Sequence, residues 1–239
     1  MNAQLNPDNA LMSSDGDLVV CTDTSRTFGS GPSAVVAVQC TTAKVSPGAR
    51  IAIAGPSGSG KSTLLHLMAG LEIPTRGQVT WPSFSADAAD RARDVGVVFQ
   101  SPSLVPALDV AENTGLPLIL AGVGEQECRD RVVEALELVG VSDLAAKLPE
   151  ELSGGQAQRV AVARVLALRP RLVLADEPTG QLDHATGQHL IDVLMATTAQ
   201  IGAALVVTTH DRTVLERLDT HWWMHEGRLR TETTQGASS

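Results

Sequence analysis

The chain has no tyrosine, only three cysteines and three lysines, and no long apolar run. Each scarcity removes a class of function. Spanning a bilayer takes roughly 18 to 20 uninterrupted apolar residues, and no stretch supplies them. The polar start from Met1 to Asp17 has neither the basic nor the apolar region of a secretory signal. A cytosolic chain is expected. Cys21, Cys40 and Cys128 are odd in number, far apart and in no metal-ligand spacing, as reduced thiols are, and unlike a disulfide framework or a zinc site. Positive charge is short as well: 18 Lys and Arg face 27 Asp and Glu, giving a net charge of −9 and a pI of about 5.1. No dense basic run offsets that balance, so no nucleic-acid partner is expected.

What is present suits a globular protein: 239 residues, 43% hydrophobic and 19% charged, enough for one domain with an inserted lobe and a proper core. Residues 1–16 are polar, rich in Asn, Asp and Ser, and read as a disordered leader. Residues 18–22 begin a strand and 33–45 read as more strand, with a turn at 28–32 between them. A β-rich entry thus precedes the densest motif of the chain.

That motif is Gly55-Pro56-Ser57-Gly58-Ser59-Gly60-Lys61-Ser62-Thr63, which fills every fixed position of G-x-x-x-x-G-K-[ST]. Residues 49–54 alternate like a strand before it, and 62–69 read as a helix stopped by Gly70. This is the strand, loop and helix setting that a phosphate-binding loop requires. Glycines let backbone N–H groups turn in on a polyanion with no Cβ in the way, and the helix N-terminus adds a favourable dipole. Lys61 stands where a cation would meet the β- and γ-phosphates, and the Ser62 hydroxyl where it would take one Mg²⁺ position.

Further on, 75–77 reads as a turn, 78–81 as a short strand and 95–100 as a strand ending in the amide of Gln100, while Pro102, Pro106 and Pro117 read as breaks. From 108 to 168 apolar residues recur at spacings of three and four, most clearly over 131–139, and predict a mostly helical lobe. Leu152-Ser153-Gly154-Gly155-Gln156 opens a helix running to Leu168. A serine and two glycines there make either a second anion-seeking helix start or a plain capped one. Residues 171–177 are an apolar run closing in two acids, the pattern of a buried parallel strand with chemistry at its C-terminal edge. Asp176 would complete the Mg²⁺ shell with Ser62. Glu177, pointing differently, would orient or deprotonate an attacking water. After a turn at 178–180, Asp183 is at the least an N-cap for a helix to about 198. Residues 203–211 form another buried strand ending in His210, which either senses a γ-phosphate or is structural. Residues 220–230 read as a hairpin turning at Glu226-Gly227, and 231–239 as a solvated tail.

In this order, the loop, Gln100, Leu152 to Gln156, Asp176-Glu177, Asp183 and His210 resemble the ATP-binding cassette (ABC) ATPases from about residue 18 to 229. The resemblance implies an α/β P-loop NTPase fold, with a RecA-like core, an antiparallel β entry subdomain and an inserted α-helical subdomain at about 101–168, in a single domain of residues 17–230. By the same resemblance, residues 55–63 are the Walker A loop and Gln100 is the Q-loop glutamine, sharing the metal with Ser62 and Asp176. Residues 152–156 are the signature, Glu177 the catalytic glutamate, Asp183 the D-loop aspartate and His210 the switch histidine. Phe28 stands where the family's aromatic platform for a nucleobase lies; the bland alternative is a half-buried phenylalanine at a strand end.

The implied cofactors are ATP and Mg²⁺, and the implied activity is ATP hydrolysis coupled to transport. The implied assembly is a dimer of two copies or of two different ATPase chains, in which Ser153, Gly154 and Gly155 close on the nucleotide held by the other subunit. The implied partner is an integral-membrane permease that holds the chain at the inner face of the cell membrane. Residues 103–122 look like the subgroup of lipoprotein-releasing, macrolide-exporter and cell-division (FtsE-like) ATPases, so the alternative is a regulatory ATPase driving a membrane partner that transports nothing. Between Gly77 and Gln100 the chain is shorter than in such relatives. DNA-repair cassettes carry a long coiled coil between the loop and the signature, for which residues 62–152 have neither the length nor the heptads.

Overall fold

The computed structural model describes residues 16–233. The leader expected at 1–16 lies outside these residues except for Gly16, and so does the tail beyond Thr233. The chain enters through β1 (Val19–Phe28) and β2 (Val35–Val45), an antiparallel pair joined through a single 3₁₀ turn. Next, β3 (Arg50–Ala54) runs through the glycine-rich loop into α1 (Lys61–Ala69), and β4 (Arg76–Thr80) returns to pair with β1. The first sheet therefore has the order β2-β1-β4. Arg76 and Gly77, which look like part of a turn, already belong to β4, because Arg76 pairs with Ser25 across an irregularity in β1.

A short helix, α2 (Ala88–Asp94), then occupies a stretch where periodicity predicts nothing. It buries none of its residues, and its start is held by Asp87, whose side chain accepts from the N–H groups of Ala89 at 2.8 Å and Asp90 at 3.2 Å. β5 (Val95–Val98) stops two residues short of Gln100, leaving Phe99 and Gln100 in the exit loop. The helical lobe follows as α3 (Val110–Leu120), α4 (Glu125–Leu138) and α5 (Gly154–Leu168). Pro117 does not break the chain but lies inside α3, which is anchored on both sides of it by buried Asn113 and Leu118. Tertiary burial overrides the local penalty.

The remaining elements are β6 (Leu172–Asp176), α6 (His184–Gln200), β7 (Ala204–Thr209), α7 (Arg212–Leu215), β8 (Thr220–His225) and β9 (Arg228–Thr233). They complete a second sheet of order β5-β6-β7-β3-β8-β9, parallel except for β9. The β8–β9 turn takes positive φ at Glu226 (47°) and Gly227 (77°), as two-residue hairpins do. β9 runs past residue 230 to Thr233, since Thr220 and His221 of β8 pair with Thr233 and Glu232; residues 231–233 are strand, not tail. The same turn is stitched to the first sheet and to the loop. The Gln39 N–H donates to the Gly227 carbonyl at 2.7 Å, the Gln39 amide to the Glu226 carbonyl at 2.9 Å, and the Gly227 N–H to the Ser59 carbonyl at 2.9 Å.

Strand alternation divides the core in two. Ile51, Ile53, Leu172, Leu174, Ala204 and Val206 face α1, packing with Leu64, Leu65, Leu67 and Met68. Their neighbours Ala52, Ala54, Val173, Ala175, Leu205 and Val207 face the other way, with Val160 and Val162 of α5 and Leu190 and Leu194 of α6. Each fully buried Val, Leu, Ile or Met side chain among them contributes roughly 1.5–3 kcal/mol. By the same period of two, Asp176 and Thr208 come out on the α1 side. The free thiol of Cys21 is sealed in this core, and burial pushes it up to about 12 against a weaker opposing bond with Thr24.

Candidate active site

The loop between β3 and α1 is pressed against backbone on two sides. A Cβ on Gly55 would lie 2.1 Å from the Met224 carbonyl oxygen, and one on Gly60 would lie 2.0 Å from that of Ala37, so no other residue fits either position. Gly60 enters α1 at φ 103° with no side chain bonded to the first turn. Lys61 is buried, and its Nζ donates to the carbonyls of Gly55 at 2.9 Å and Pro56 at 3.1 Å. Beside it the enclosed Ser59 hydroxyl has no hydrogen-bond partner among the described residues. The loop therefore holds a cation and a hydroxyl ready for a ligand richer in acceptors than the loop itself.

Glu177 follows β6 with φ at 42°, in the left-handed region, at a cost of about 1–3 kcal/mol for a non-glycine residue. Its carboxylate faces three groups: Lys61 Nζ at 3.6 Å, His210 Nδ1 at 3.4 Å and Gln100 Nε2 at 3.5 Å. Together with Ser57, Gly58, Gly60, Ser62 and Thr63, these four residues line one cavity of about 560 Å³. An adjoining cavity is lined by Ser62, Gln100 and Asp176, with His66, Phe99 and Gln181. A hydroxyl, one buried carboxylate and an amide oxygen are hard donors that fit Mg²⁺, which takes few protein oxygens and completes its shell with phosphate and water. Among the described residues no three His, Cys, Asp or Glu side chains cluster as metal ligands.

The segment Ser153-Gly154-Gly155-Gln156 opens elsewhere. It lines a third cavity with Arg159, Gln181, Leu182, Asp183 and Thr186, one that does not include Lys61. Ser153 caps α5 reciprocally: its Oγ accepts the Gln156 N–H at 3.3 Å, and Gln156 Oε1 accepts the Ser153 N–H at 2.8 Å. Asp183 caps α6, accepting from the Thr186 hydroxyl at 2.6 Å and the Thr186 N–H at 3.0 Å, and these bonds hold its carboxyl below the ordinary 3.8. The capping role and a place beside Ser153 to Gln156 thus coexist in one residue.

Phe28 is not among the residues that line the loop cavity, although its strand partner Val35 is. It ends β1 opposite Val35, 38% exposed, with the Arg26 guanidinium 4.5 Å over its ring. The apolar wall of the loop cavity is formed by Val35 and Val36 of β2. Sequence reasoning misses these two because nothing distinguishes them from core valines of the same strand, although at 63% and 46% they are exposed. It also misses Gln181, which lines both the cavity of Asp176 and that of Ser153. Its only signal is adjacency to Asp183.

Comparison with known proteins agrees with this geometry. Residues 38–180 match the ABC transporter family. The chain is 40% identical over 211 residues to a lipoprotein-releasing system ATP-binding protein, LolD, of Legionella pneumophila, covering 85% of this chain and 93% of that one. It is 41% identical over 219 residues to an uncharacterised ABC transporter ATP-binding protein of Mycobacterium tuberculosis, covering 89% and 88%. A solved dimeric ATP-binding cassette, MJ0796, bound to ADP and Pi superposes with a TM-score of 0.84 at 34% identity, covering 92% of this chain and all of that one. The chain therefore belongs to the ABC transporter family, as an ATP-hydrolysing nucleotide-binding cassette.

Proposed function

We propose that two such cassettes close face to face over two ATP molecules and that the cycle of closing and opening drives a separate integral-membrane permease. The observation that carries this reading is the separation of the Lys61 cavity from the Ser153 cavity within one chain. Each offers part of a nucleotide site, and a second ATPase subunit supplies the complement. In this reading Lys61 exchanges the carbonyls of Gly55 and Pro56 for phosphate oxygens. The main-chain groups from Gly55 to Thr63 surround the phosphates. Ser62, Asp176 and Gln100 would hold Mg²⁺, which would supply positive charge beside the phosphates. Glu177, fixed between His210 and Gln100, takes the proton of the attacking water. The nucleobase is received on the side of Val35 and Val36, with Phe28, paired to Val35, as the aromatic platform assigned by resemblance.

Loss of the γ-phosphate removes charge from between α1 and the partner's α5, so closure weakens after hydrolysis. Within the chain that change can reach the helical lobe through α5. Gln158 donates to the Phe99 carbonyl at 3.1 Å, and Arg164 donates to the carbonyls of Ser103 at 3.0 Å and Pro102 at 3.1 Å, holding both flanks of Gln100. We assign residues 101–168 as the lobe that meets the permease. Among the described residues no helix is long and apolar enough to cross a membrane; in this reading the permease holds the chain at the inner face.

The test is sedimentation of Glu177→Gln with Mg-ATP, followed by purification of the same variant from its native membranes. A dimer that forms with ATP, separates with ADP and retains an integral-membrane protein is expected. A chain that stays monomeric at saturating Mg-ATP overturns the sandwich, and recovery of soluble partners only overturns the permease.

A further inference from the structure

We propose that Thr208 is a positioning residue for hydrolysis, whose single hydroxyl fixes the carboxylate of Asp176 and the backbone of Glu177 together. The inference rests on the roles given above to those two acids. β7 is apolar from Ala204 to Val207 and then turns polar at Thr208, which is fully buried. A buried hydroxyl is costly unless it is bonded, and this one is bonded in both senses. Its Oγ1–H donates to Asp176 Oδ1 at 2.5 Å, and its Oγ1 accepts the Glu177 N–H at 2.9 Å. The direction is fixed by chemistry, because a backbone N–H only donates and the hydroxyl's one proton is left for the carboxylate.

The arrangement follows from strand register. Asp176 and Thr208 are directly paired across the parallel strands β6 and β7, so their side chains emerge side by side toward α1. Two consequences follow for the site. Oδ1 of Asp176 is anchored, which stops the carboxylate from rotating and leaves Oδ2 as its less engaged oxygen for the cavity shared with Ser62. The Glu177 N–H, held by Thr208 Oγ1 and also by the Thr208 carbonyl at 3.2 Å, is pinned where the chain turns into the left-handed region. That turn is what sends the Glu177 side chain toward Lys61, Gln100 and His210 while Asp176 faces α1. Valine has nearly the shape of threonine, so packing alone does not call for the hydroxyl.

The experiment compares Thr208→Val and Thr208→Ser in the whole chain, with Asp176→Asn and Glu177→Gln alongside. Mn²⁺ binding to the complex with the slowly hydrolysed analogue ATPγS is followed by electron paramagnetic resonance, and turnover and melting temperature are measured separately. Thr208→Val is expected to weaken Mn²⁺ binding and lower kcat by about tenfold each, as loss of a group orienting a metal ligand does. Metal-free nucleotide binding should stay at the parental value and melting temperature should fall only modestly, since the buried Asp176 Oδ1 loses its donor, and Thr208→Ser should restore most of these losses. Parental Mn²⁺ binding and turnover in Thr208→Val overturn the proposal, as does an equal loss in Thr208→Val and Thr208→Ser. If Asp176→Asn keeps Mn²⁺ affinity and Glu177→Gln keeps turnover, the assignment of the two acids has failed rather than that of Thr208.

Discussion

Helices α1 and α5 both begin in a cluster of glycine and serine, yet they treat their first N–H groups in opposite ways. At α1 the entry residue is Gly60, left-handed and without a side chain bonded to the helix, and Lys61 rests on loop carbonyls. At α5 the entry residue is Ser153, and Ser153 and Gln156 satisfy each other's backbone. The first start is held open by the backbone itself, at the expense of conformations that only glycine tolerates. The second has the N–H groups of Ser153 and Gln156 satisfied without a ligand. In the proposed sandwich, the helix start that meets its own subunit's nucleotide and the one that meets the other subunit's thus differ in whether a side-chain cap engages the first turn. The resident site is kept ready, and the visiting one is kept stable.

This contrast can be broken at several points. The largest effect is expected from Glu177→Gln, which should cut turnover by about 10²–10⁴-fold while leaving ATP affinity intact; turnover at the parental rate would take the base away from the α1 side altogether. Lys61→Ala should follow, weakening ATP binding to the isolated chain by on the order of 10- to 100-fold, the worth of one or two hydrogen bonds to a charged group. Calorimetric titration reads this directly. Ser153→Ala should do the converse. Loss of the cap is expected to cost about 1 kcal/mol of stability in denaturant melts, with ATP binding to the single chain unchanged and ATP-driven dimer formation impaired. If Ser153→Ala weakens ATP binding to the monomer as Lys61→Ala does, the two starts are not different in kind.

The smallest effect concerns pH. Asp183 caps α6 and Asp211 caps α7, and each carboxyl is held below 3.8 first by the hydroxyl of a threonine, Thr186 and Thr213 respectively. A carboxyl lowered in the folded chain contributes stability that is complete above its ordinary value and is lost as pH falls through the lowered one. Melting temperature should therefore decline in acid below 3.8, and Asp211→Asn should flatten part of that decline. The first turn of α1 contains no acid, so the nucleotide loop should add nothing to it. A decline identical in Asp211→Asn and the parent would remove the cap from the explanation.

The reciprocal cap at Ser153 was open to reading, since a serine followed three residues later by Gln156 is the pattern of a capping box. Contiguous features were legible in the same way: the glycine-rich loop, the segment Leu152 to Gln156 and the Asp176-Glu177 pair each lie within a few residues, and the strands beside the loop and the acids read clearly. What stayed hidden depends on residues far apart in the chain. The roles of Val35 and Val36 arise only because β2 passes over the loop, and the bond from Thr208 to Asp176 exists only through the β6–β7 register. Helix α2 shows no periodicity because it buries nothing, and Pro117 looks like a break because burial on either side of it is invisible locally.

The stitching of the β8–β9 turn has a consequence for how the molecule is made. Ser59 and Gln39, from the first third of the chain, bond to Gly227 and Glu226, and one of these contacts spans 187 residues. Met224, from the same hairpin, supplies the carbonyl against which Gly55 is pressed. As the chain leaves the ribosome, the nucleotide loop emerges early and waits for almost the whole of the protein before the surface that shapes it exists. The loop is among the first motifs to be synthesised and among the last to be finished, so a truncated chain carries the motif without the site.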